Sequence, residues 1–360
     1  MFYSKRNVLV TGGASFIGSH LVDQLLLKGA SVTVVDDLSS GTLQNLEQSM
    51  DAIQFIDGDL RDYSVGKSAT EGQDIVFHLA NIHGGRGFID THPGEIVQNF
   101  AIDGNVFRAA QENGVERVCY TSSACAYPVN LQTMDTADNM NYLSEEMADP
   151  FTPGAALADG EYGWAKLMGE MALKGYHKQF GLKGVSCRLF TVYGPRENES
   201  HAVIALIAKA IIEQDPYEIW GTGKQSRNFT YVSDIVEGIL LSAEKITDCR
   251  AVNVGTDDAI TLADAARTIL DVTGHAPEEI FYDTSKPEGV SVRTASIENQ
   301  KQWLGWSPRV SFAEGIAKTI EWYLGSVDRK ALVEHFETLL FERSASESRD
   351  SSYRYTQAAG

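Results

Sequence analysis

The feature that most constrains the fold of this chain is a glycine-rich turn between an apolar strand and a helix near the N-terminus. The strand is predicted at Arg6–Val10, and the turn follows as Thr11-Gly-Gly-Ala-Ser-Phe-Ile-Gly18. Apolar residues then recur at helical spacing from Phe16, and a second strand at Ser31–Val35 ends in Asp36. This order predicts a dinucleotide-binding unit, because the helix start offers unpaired N–H groups and a positive dipole end to a pyrophosphate.

Four positions carry the chemistry of this unit. Gly12 permits a sharp turn, and Gly18 permits close packing of the helix on the strand. Asp36 lies 18 residues beyond Gly18, where a carboxylate can accept hydrogen bonds from ribose hydroxyls and would repel a 2′-phosphate, which favours NAD over NADP. Ser15 replaces a middle glycine, so its side chain must point away from the phosphate or donate to it. The alternative is a glycine-rich turn that binds no ligand.

Composition excludes some classes of partner. The 360-residue chain has a net charge of −19, which argues against a nucleic-acid surface and requires a local positive cluster for any anionic ligand. No apolar run is long enough to span a bilayer, and the first strand follows the N-terminus too closely for a signal peptide. The four cysteines lack metal or disulfide spacing, so we expect no metal site and a reducing, cytoplasmic location.

Strands and helices alternate along the first half of the chain. Further strands are predicted at Ala52–Ile56, Asp74–Leu79, Val115–Thr121 and Gly184–Phe190, with helices at Glu95–Asn113 and Tyr162–Phe180. We therefore expect an α/β fold, a Rossmann-type doubly wound parallel sheet with ligands at the carboxyl ends of its strands.

Three regions are predicted. Residues 1–190 form the dinucleotide-binding domain, with an irregular excursion at 130–161. Residues 191–325 form mainly a smaller mixed α/β lobe for the substrate, with a helix at His201–Gln214, strands near Glu218–Trp220 and Asn228–Val232, and later helices. Residues 326–360 form a C-terminal helix and a tail, disordered from Ser344 because it has no apolar face.

The segment Tyr162-Gly-Trp-Ala-Lys166 is the sharpest signal after the glycine turn. Residues four apart share a helix face, so Lys166 lies beside Tyr162. A unit charge at about 4 Å is worth roughly 4 kcal/mol at an effective dielectric of ~20, whereas burial favours the neutral phenol. Lys166 and a cationic nicotinamide together can give a phenolate that accepts a hydroxyl proton. The alternative is an exposed helical pair.

Ser122 and Ser123 end a strand of the same sheet and can complete a Ser–Tyr–Lys set. Together with the glycine turn, Asp36, Asp59-Leu60 and His78-Leu-Ala80, these residues resemble the extended short-chain dehydrogenase/reductases. The resemblance covers about Asn7–Leu324. It implies a nucleotide-sugar enzyme that retains its NAD and oxidises the sugar transiently at carbon 4.

The resemblance also implies two sets of binding residues. The expected NAD contacts are Gly12, Ser15, Phe16, Ile17, Gly18, Asp36, Asp59, Leu60, Leu79, Ala80, Asn99 and Lys166. The expected substrate contacts are Gly84, Gly85, Arg86, Ser122, Ser123, Thr191, Trp220, Arg227 and Arg293. Arg227 and Arg293 lie in segments whose arginines bind the diphosphate of a nucleotide-diphosphate sugar, since guanidinium groups pair with phosphate through two hydrogen bonds. The helices Glu95–Asn113 and Tyr162–Phe180 commonly pair subunits in this family, so a homodimer is expected.

The residues after Ser123 bear on the reaction. The family's 4,6-dehydratases carry Asp-Glu here, whereas this chain has Ala124 and Cys125, which disfavours elimination. Ser122-Ser-Ala-Cys-Ala-Tyr-Pro128, Gly84-Gly-Arg-Gly-Phe-Ile89 and Glu218-Ile-Trp-Gly-Thr-Gly223 instead resemble GDP-mannose 3,5-epimerases. The resemblance implies that Cys125 is one of two bases that invert carbons 3 and 5 beside the ketone. The second base in that family is a lysine, and His201 stands at about its place here.

Other functions remain open from the sequence. A 4-epimerase needs only Ser123, Tyr162, Lys166 and NAD. A 4-ketosugar reductase would exchange its cofactor, and a catalytically silent NAD-binding scaffold would need no proton-transfer groups at all. The nucleotide base, the hexose and the inverted carbon are not predicted.

Overall fold

The computed structural model of the chain describes residues 2–133, 140–153, 157–286 and 288–339. Residues 134–139 and 154–156 of the excursion predicted at 130–161 lie outside the described residues, as do Pro287 and the whole tail predicted from Ser344.

The first half of the chain alternates strands with helices, as predicted. Its elements are β1 (Asn7–Thr11), α1 (Phe16–Leu27), β2 (Ser31–Asp36), β3 (Ile53–Asp57), α2 (Tyr63–Ala69), β4 (Ile75–His78), α3 (Arg86–Thr91), α4 (Pro93–Ile96), α5 (Asn99–Glu112), β5 (Arg117–Ser123), β6 (Tyr142–Leu143), α6 (Gly160–Phe180) and β7 (Lys183–Leu189). The prediction of a single helix at Glu95–Asn113 is wrong in one respect, because the chain forms two helices there, α4 and α5, with a break between them.

The second half mixes short strands with longer helices. Its elements are β8 (Val192–Tyr193), α7 (Ala202–Ile211), β9 (Tyr217–Trp220), β10 (Ser226–Arg227), β11 (Thr230–Tyr231), α8 (Val232–Lys245), β12 (Ala251–Val254), β13 (Ile260–Thr261), α9 (Leu262–Thr273), β14 (Ile280–Asp283), β15 (Val292–Ala295), α10 (Glu298–Leu304), α11 (Phe312–Ser326) and α12 (Arg329–Leu339).

One parallel sheet dominates the described part of the chain, and its seven strands run in the order β12-β7-β5-β4-β1-β2-β3. Helices α1 and α8 pack on one face, and α2, α5 and α6 pack on the other. The strand order reverses between β1 and β4, which is where doubly wound sheets bind their ligands. The predicted fold class is therefore confirmed.

The region beyond residue 190 contributes to both parts of the molecule. Its strand β12 extends the large sheet beside β7, while β10, β13 and β15 build a second sheet. This second sheet also takes β6 from the predicted excursion, which is therefore not wholly irregular. The division into a cofactor domain and a substrate lobe stays a proposal. Strand β12 comes after the proposed boundary at residue 190 but pairs in the large sheet.

The strand predicted near Asn228–Val232 is present but shorter, because only Thr230–Tyr231 (β11) forms a strand there. Asn228 and Phe229 separate β10 from β11, which pair in different sheets. The buried side chain of Asn228 donates to the carbonyl of Asp258 and accepts from the amide of Ala295. These two hydrogen bonds fix the point where the chain crosses from one sheet to the other.

Candidate active site

A cavity of about 490 Å³ lies at the carboxyl edge of the large sheet, between the sheet and the second-half elements. It is lined by the glycine turn, the ends of β5 and β7, the start of α6 and the segment leading into α7. Most of the predicted site residues line it. The exceptions among the described residues are Asp36, Asp59, Leu60, Ala80 and Asn99.

The glycine turn has no room for a side chain at Gly12 or at Gly18. Gly12 has a φ of 70°, and a Cβ there would lie 2.8 Å from the amide nitrogen of Ala80. A Cβ on Gly18 would lie 2.1 Å from the carbonyl oxygen of Gly12. The amides of Phe16, Ile17 and Gly18 begin α1 beside the cavity, where the first turn of a helix has no internal acceptors. The turn therefore fits a pyrophosphate.

Asp36 fixes the other side of this turn. Its buried carboxylate accepts hydrogen bonds from the amides of Ala14 and Leu38, each at 2.9 Å. Burial raises the pKa of Asp36, and these two hydrogen bonds and one from the Ser15 side chain oppose that shift. The Ser15 side chain therefore lies close to the Asp36 carboxylate, and its expected contact with the pyrophosphate stays a prediction.

Several residues predicted to contact NAD form hydrogen bonds or ion pairs within the protein itself. The buried amide group of Asn99 accepts from the Ile82 N–H and donates to the Ile82 carbonyl, which fixes the loop after β4. The backbone amides of Leu79 and Ala80 donate to the Thr11 hydroxyl. The pair Asp59–Leu60 follows β3, and Asp59 forms an ion pair with Arg61 at 2.6 Å. Their contacts with NAD stay predictions.

Tyr162 and Lys166 are both buried on α6, facing the end of β5. The Lys166 ammonium group donates to the Thr121 carbonyl at 2.9 Å and lies 5.7 Å from the centre of the Tyr162 ring. Burial raises the pKa of Tyr162, whereas a hydrogen bond with Ser123 lowers it. Burial also lowers the pKa of Lys166. The Ser–Tyr–Lys set is therefore assembled, with burial favouring a neutral phenol in the protein alone.

A buried chain of polar side chains that no sequence motif indicated packs behind the Ser–Tyr–Lys set. The imidazole of His78 lies between the Thr11 hydroxyl at 2.7 Å and the Asp103 carboxylate at 3.0 Å. The Tyr120 hydroxyl donates to the same carboxylate at 2.7 Å, and the Lys166 ammonium group lies 5.0 Å from the Tyr120 ring. Asp103 thus places a negative charge behind Lys166.

Cys125 lies in a positively charged part of the cavity. Arg293 donates to its sulfur at 3.1 Å, to Gln132 at 2.6 Å and to Asp159 at 2.6 Å. Arg86 donates to Asp159 as well, at 3.1 Å. Asp159 is buried, and although burial disfavours its charge, the two arginines lower its pKa. Asp159 was missed because it lies in the excursion, and its place three residues before Tyr162 was the available signal.

A third guanidinium group leaves this part of the cavity with more cations than anions. Arg227 donates to the Ser226 carbonyl at 2.8 Å. Burial, with the nearby charge of Arg293, lowers the pKa of Arg227 to about 9. Three arginines and one aspartate suit an anionic ligand, because guanidinium groups bind anions through paired hydrogen bonds.

His201 is the first residue before α7, and it lines the cavity as predicted. Its Nδ1 lies 2.8 Å from the Glu197 carboxylate, and its Nε2 has no hydrogen-bond partner among the residues that the structure describes. The ring of His83 lies 5.2 Å from that of His201 and 4.9 Å from that of Tyr162. Glu197 and His83 were missed, although the spacing of Glu197 and His201 was a usable signal.

The other residues predicted to contact the substrate line the cavity, and some of them already have hydrogen-bond partners within the protein. The Ser122 hydroxyl donates to Glu170 at 2.5 Å, and Glu170 pairs with Arg188 at 2.8 Å, so this serine already has a structural partner. Trp220 lines the outer part of the cavity and donates to Glu218 at 3.2 Å. Gly84, Gly85 and Thr191 also line the cavity.

Comparison with known proteins defines the class of this molecule. Residues 8–255 match the NAD dependent epimerase/dehydratase family, and the chain belongs to that family. The family and the NAD cofactor predicted from the sequence are therefore confirmed. The protein is an enzyme of a family that uses NAD.

Individual relatives differ in the reactions that their names give. The chain is 32% identical to GDP-mannose 3,5-epimerase 1 of Oryza sativa subsp. japonica over 91% of this chain and 84% of the relative. It is 29% identical to a UDP-N-acetyl-alpha-D-glucosaminuronate decarboxylase of Bacillus cytotoxicus over 89% and 98% of the two chains. The structure of UDP-glucose 4-epimerase from Thermotoga maritima with UDP-glucose superposes with a TM-score of 0.78 at 28% identity, covering 88% and 98%.

No helix in the described ranges is long and apolar enough to cross a membrane.

Proposed function

We propose that this protein is a nucleotide-sugar epimerase that forms a transient 4-keto hexose and inverts carbon 3 or 5 of the ring. The observation that carries this proposal is the meeting of four proton-transfer groups in one cavity: the Tyr162 phenol, the Ser123 hydroxyl, the Cys125 thiol and the His201 imidazole. NAD, the cofactor of the family, would supply the hydride acceptor for carbon 4. Gly12–Gly18 would hold its pyrophosphate, and Asp36 would bind its adenosine ribose.

The chain's own residues provide the remaining steps. Tyr162 takes the proton of the carbon-4 hydroxyl, and Ser123 orients that hydroxyl through its hydrogen bond with the phenol. The ketone then acidifies the C–H bonds of carbons 3 and 5. One of the pair Cys125 and His201 removes a ring proton and the other returns a proton to the opposite face.

The substrate class follows from charge. A nucleotide diphosphate carries two negative charges, and beside Cys125 the cavity gathers three arginines, Arg86, Arg227 and Arg293, around the Asp159 carboxylate. This local cluster of cations would attract the diphosphate of a nucleotide-linked hexose. We assign Arg227 and Arg293 to the diphosphate.

A 4-epimerase is the second candidate. Its support is the similarity of the fold to UDP-glucose 4-epimerase and the absence, in this chain, of the lysine that serves as second base in 3,5-epimerases. In that reaction the 4-keto sugar turns over and takes hydride on its other face, and neither Cys125 nor His201 has a catalytic role.

One experiment separates the two reactions. The protein is incubated with GDP-, UDP- and dTDP-hexoses in deuterated water, and the sugars are followed by NMR. Solvent deuterium at carbon 3 or 5 is expected, and its loss in Cys125→Ala would confirm the thiol as a base. Inversion at carbon 4 without label would establish the 4-epimerase. Absence of turnover in both the parent and Tyr162→Phe would leave an NAD-binding scaffold, whereas release of oxidised cofactor with net reduction would indicate a ketosugar reductase.

A further inference from the structure

We infer that Glu197 is a positioning residue that fixes the tautomer and direction of His201, so that the Nε2 of His201 is the second proton-transfer atom of the cavity. This inference rests on the proposed function for its substrate, but the arrangement of the two side chains stands on geometry alone.

The contact between the two side chains is short and shielded. The Glu197 carboxylate lies 2.8 Å from the Nδ1 of His201, and the side chain of Glu197 is 3% exposed while that of His201 is 25% exposed. A carboxylate accepts only, so Nδ1 carries the proton and Nε2 of the neutral ring is left as an acceptor. Burial raises the pKa of Glu197, and the hydrogen bond with His201 opposes that shift.

The second imidazole nitrogen of His201, Nε2, is available to bind a ligand. Nε2 of His201 is buried and has no partner in the ranges that the structure describes, which is costly for a polar atom unless a ligand or water bonds to it. The same residue lines the cavity that contains Tyr162 and Cys125. An unpartnered imidazole nitrogen inside a proposed active site is suited to proton transfer.

The backbone around Glu197 is shaped to place it inward. Arg196 has a φ of 70°, in the left-handed region that residues other than glycine rarely adopt, and it pairs with Asp23 of α1 at 2.9 Å. On the other side, a Cβ on Gly85 would lie 1.9 Å from the carbonyl oxygen of Ser200. The loop after β4 therefore packs directly on this segment.

The groups that face His201 come from three elements. Glu197 lies on the same turn, His83 lies in the loop after β4, and Tyr162 of α6 lies beyond His83. The ring of His83 packs against those of both Tyr162 and His201, so it restricts the movement of the His201 imidazole. The arrangement places one orienting carboxylate and one supporting ring around a single proton-transfer nitrogen.

The step that this arrangement supports is a balanced proton transfer. The Nε2 lone pair of His201 takes a proton from carbon 3 or 5 of the 4-keto sugar, and the electrons of that C–H bond pass to the ketone oxygen as an enolate. The thiol of Cys125 then gives a proton to the opposite face of the same carbon, and the enolate returns to the ketone. The protonated imidazole stays paired with Glu197, which stabilises its charge.

The test compares Glu197→Gln with Glu199→Gln. The first change keeps size and shape but removes the anion that orients His201. The second alters a neighbouring buried carboxylate that accepts from Tyr323 at 2.9 Å and leaves the partner of His201 in place. The side-chain nitrogens of His201 are observed by ¹⁵N NMR, with His201→Gln used to assign them, and label exchange into the sugar is measured in deuterated water.

We expect the parent protein and Glu199→Gln to show one tautomer of His201, with the proton on Nδ1. Glu197→Gln should show mixed tautomers, a lower imidazole pKa and at least about 10-fold slower label exchange with KM little changed. An unaltered tautomer and unaltered exchange in Glu197→Gln would overturn the inference. A changed tautomer in a protein that labels no sugar would support the positioning of His201 and refute the proposed 3,5-epimerisation instead.

Discussion

Tyr162 and Lys166 lose their hydration together when α6 packs against the end of β5. Burial favours the uncharged form of each group, raising the pKa of the phenol and lowering that of the amine. The ammonium group of Lys166 is stabilised by the Thr121 carbonyl and by the negative charge of Asp103. In the proposed reaction Tyr162 consequently needs a further positive charge nearby before it ionises, which the oxidised nicotinamide would supply.

Replacing Lys166 by Met should therefore shift the pH dependence of the reaction. Removing the ammonium group raises the pKa of Tyr162 further, because a nearby cation stabilises the phenolate. We expect kcat/KM at pH 7 to fall by about 100-fold or more, with part of the loss recovered at higher pH. The measurement is kcat/KM between pH 6 and 10. A uniform loss at every pH would contradict an electrostatic role for Lys166.

Asp159 offers a second test, because its pKa is lowered by Arg293 and Arg86. Asp159→Asn leaves three guanidinium groups close together and should lower the free energy of unfolding by up to about 3 kcal/mol at neutral pH. A carboxylate with a lowered pKa stabilises the fold above its unfolded pKa of about 3.9, and this contribution disappears as pH falls through the folded value. The difference between parent and variant should shrink below about pH 4 in urea unfolding curves.

The matched control is Asp90→Asn. Asp90 pairs with the same Arg86 at 2.9 Å, but both side chains are more than one third exposed, at 37% and 39%. Water screens such a pair, so we expect a change within about 1 kcal/mol. Equal destabilisation by the two variants would show that Asp159 has no special place among the arginines.

Helix α6 carries the proposed catalytic residues and also sets the position of Cys125. A Cβ on Gly163 would lie 2.2 Å from the carbonyl oxygen of Cys125, so the helix touches the turn that holds the thiol. Gly175 is on the same helix, and a Cβ there would meet nothing within 4 Å. The two glycines give opposite expectations for the same substitution.

Gly163→Ala should push the turn at Cys125 away from Tyr162. We expect a loss of about 1–3 kcal/mol in unfolding free energy, together with reduced kcat. Gly175→Ala should instead stabilise the helix by about 0.5–1 kcal/mol and leave kcat unchanged. Thermal unfolding and turnover of both variants check this. Normal stability and kcat in Gly163→Ala would show that α6 and the turn are not in close contact.

The sequence predicted the elements whose signal is local. The strand, turn and helix of Arg6–Phe16 and the helix around Tyr162 follow from apolar spacing and glycine, and the structure confirms both. The break between α4 and α5 was missed because an apolar periodicity continues through Val97. Glu197 and Asp159 had local signals, in their spacing from His201 and Tyr162, that were not used. His83 could not be assigned, because its contacts with Tyr162 and His201 join segments that are distant in the sequence.

The whole molecule is strongly acidic, yet its cavity collects arginines. With a net charge of −19, the surface repels anions in general, and the positive groups at the cavity are the local exception.

The protein also exposes large apolar side chains on the helices expected to pair subunits. Phe100 of α5 is 46% exposed, and Trp164 and Met168, four residues apart on α6, are each 39% exposed.

We expect the double variant Trp164→Glu/Met168→Glu to be monomeric while the parent is a homodimer. Two charges placed on one helix face would oppose burial of that face against a second copy. Analytical ultracentrifugation of the purified proteins at equal concentration measures the change. Leu324→Glu, at a 61% exposed position on α11, serves as the control and should stay dimeric. A parent protein that sediments as a monomer would refute the proposed dimer.

Strand β12 closes the large sheet beside β7 although it is made some 60 residues later in the chain. Asn253 in this strand also bonds to Tyr127 and to the carbonyls of Leu143 and Ser296. A nascent chain that has left the ribosome only as far as β7 therefore carries a bare hydrophobic edge. We therefore expect the growing chain to be most prone to pairing with other chains in the interval between the synthesis of β7 and that of β12.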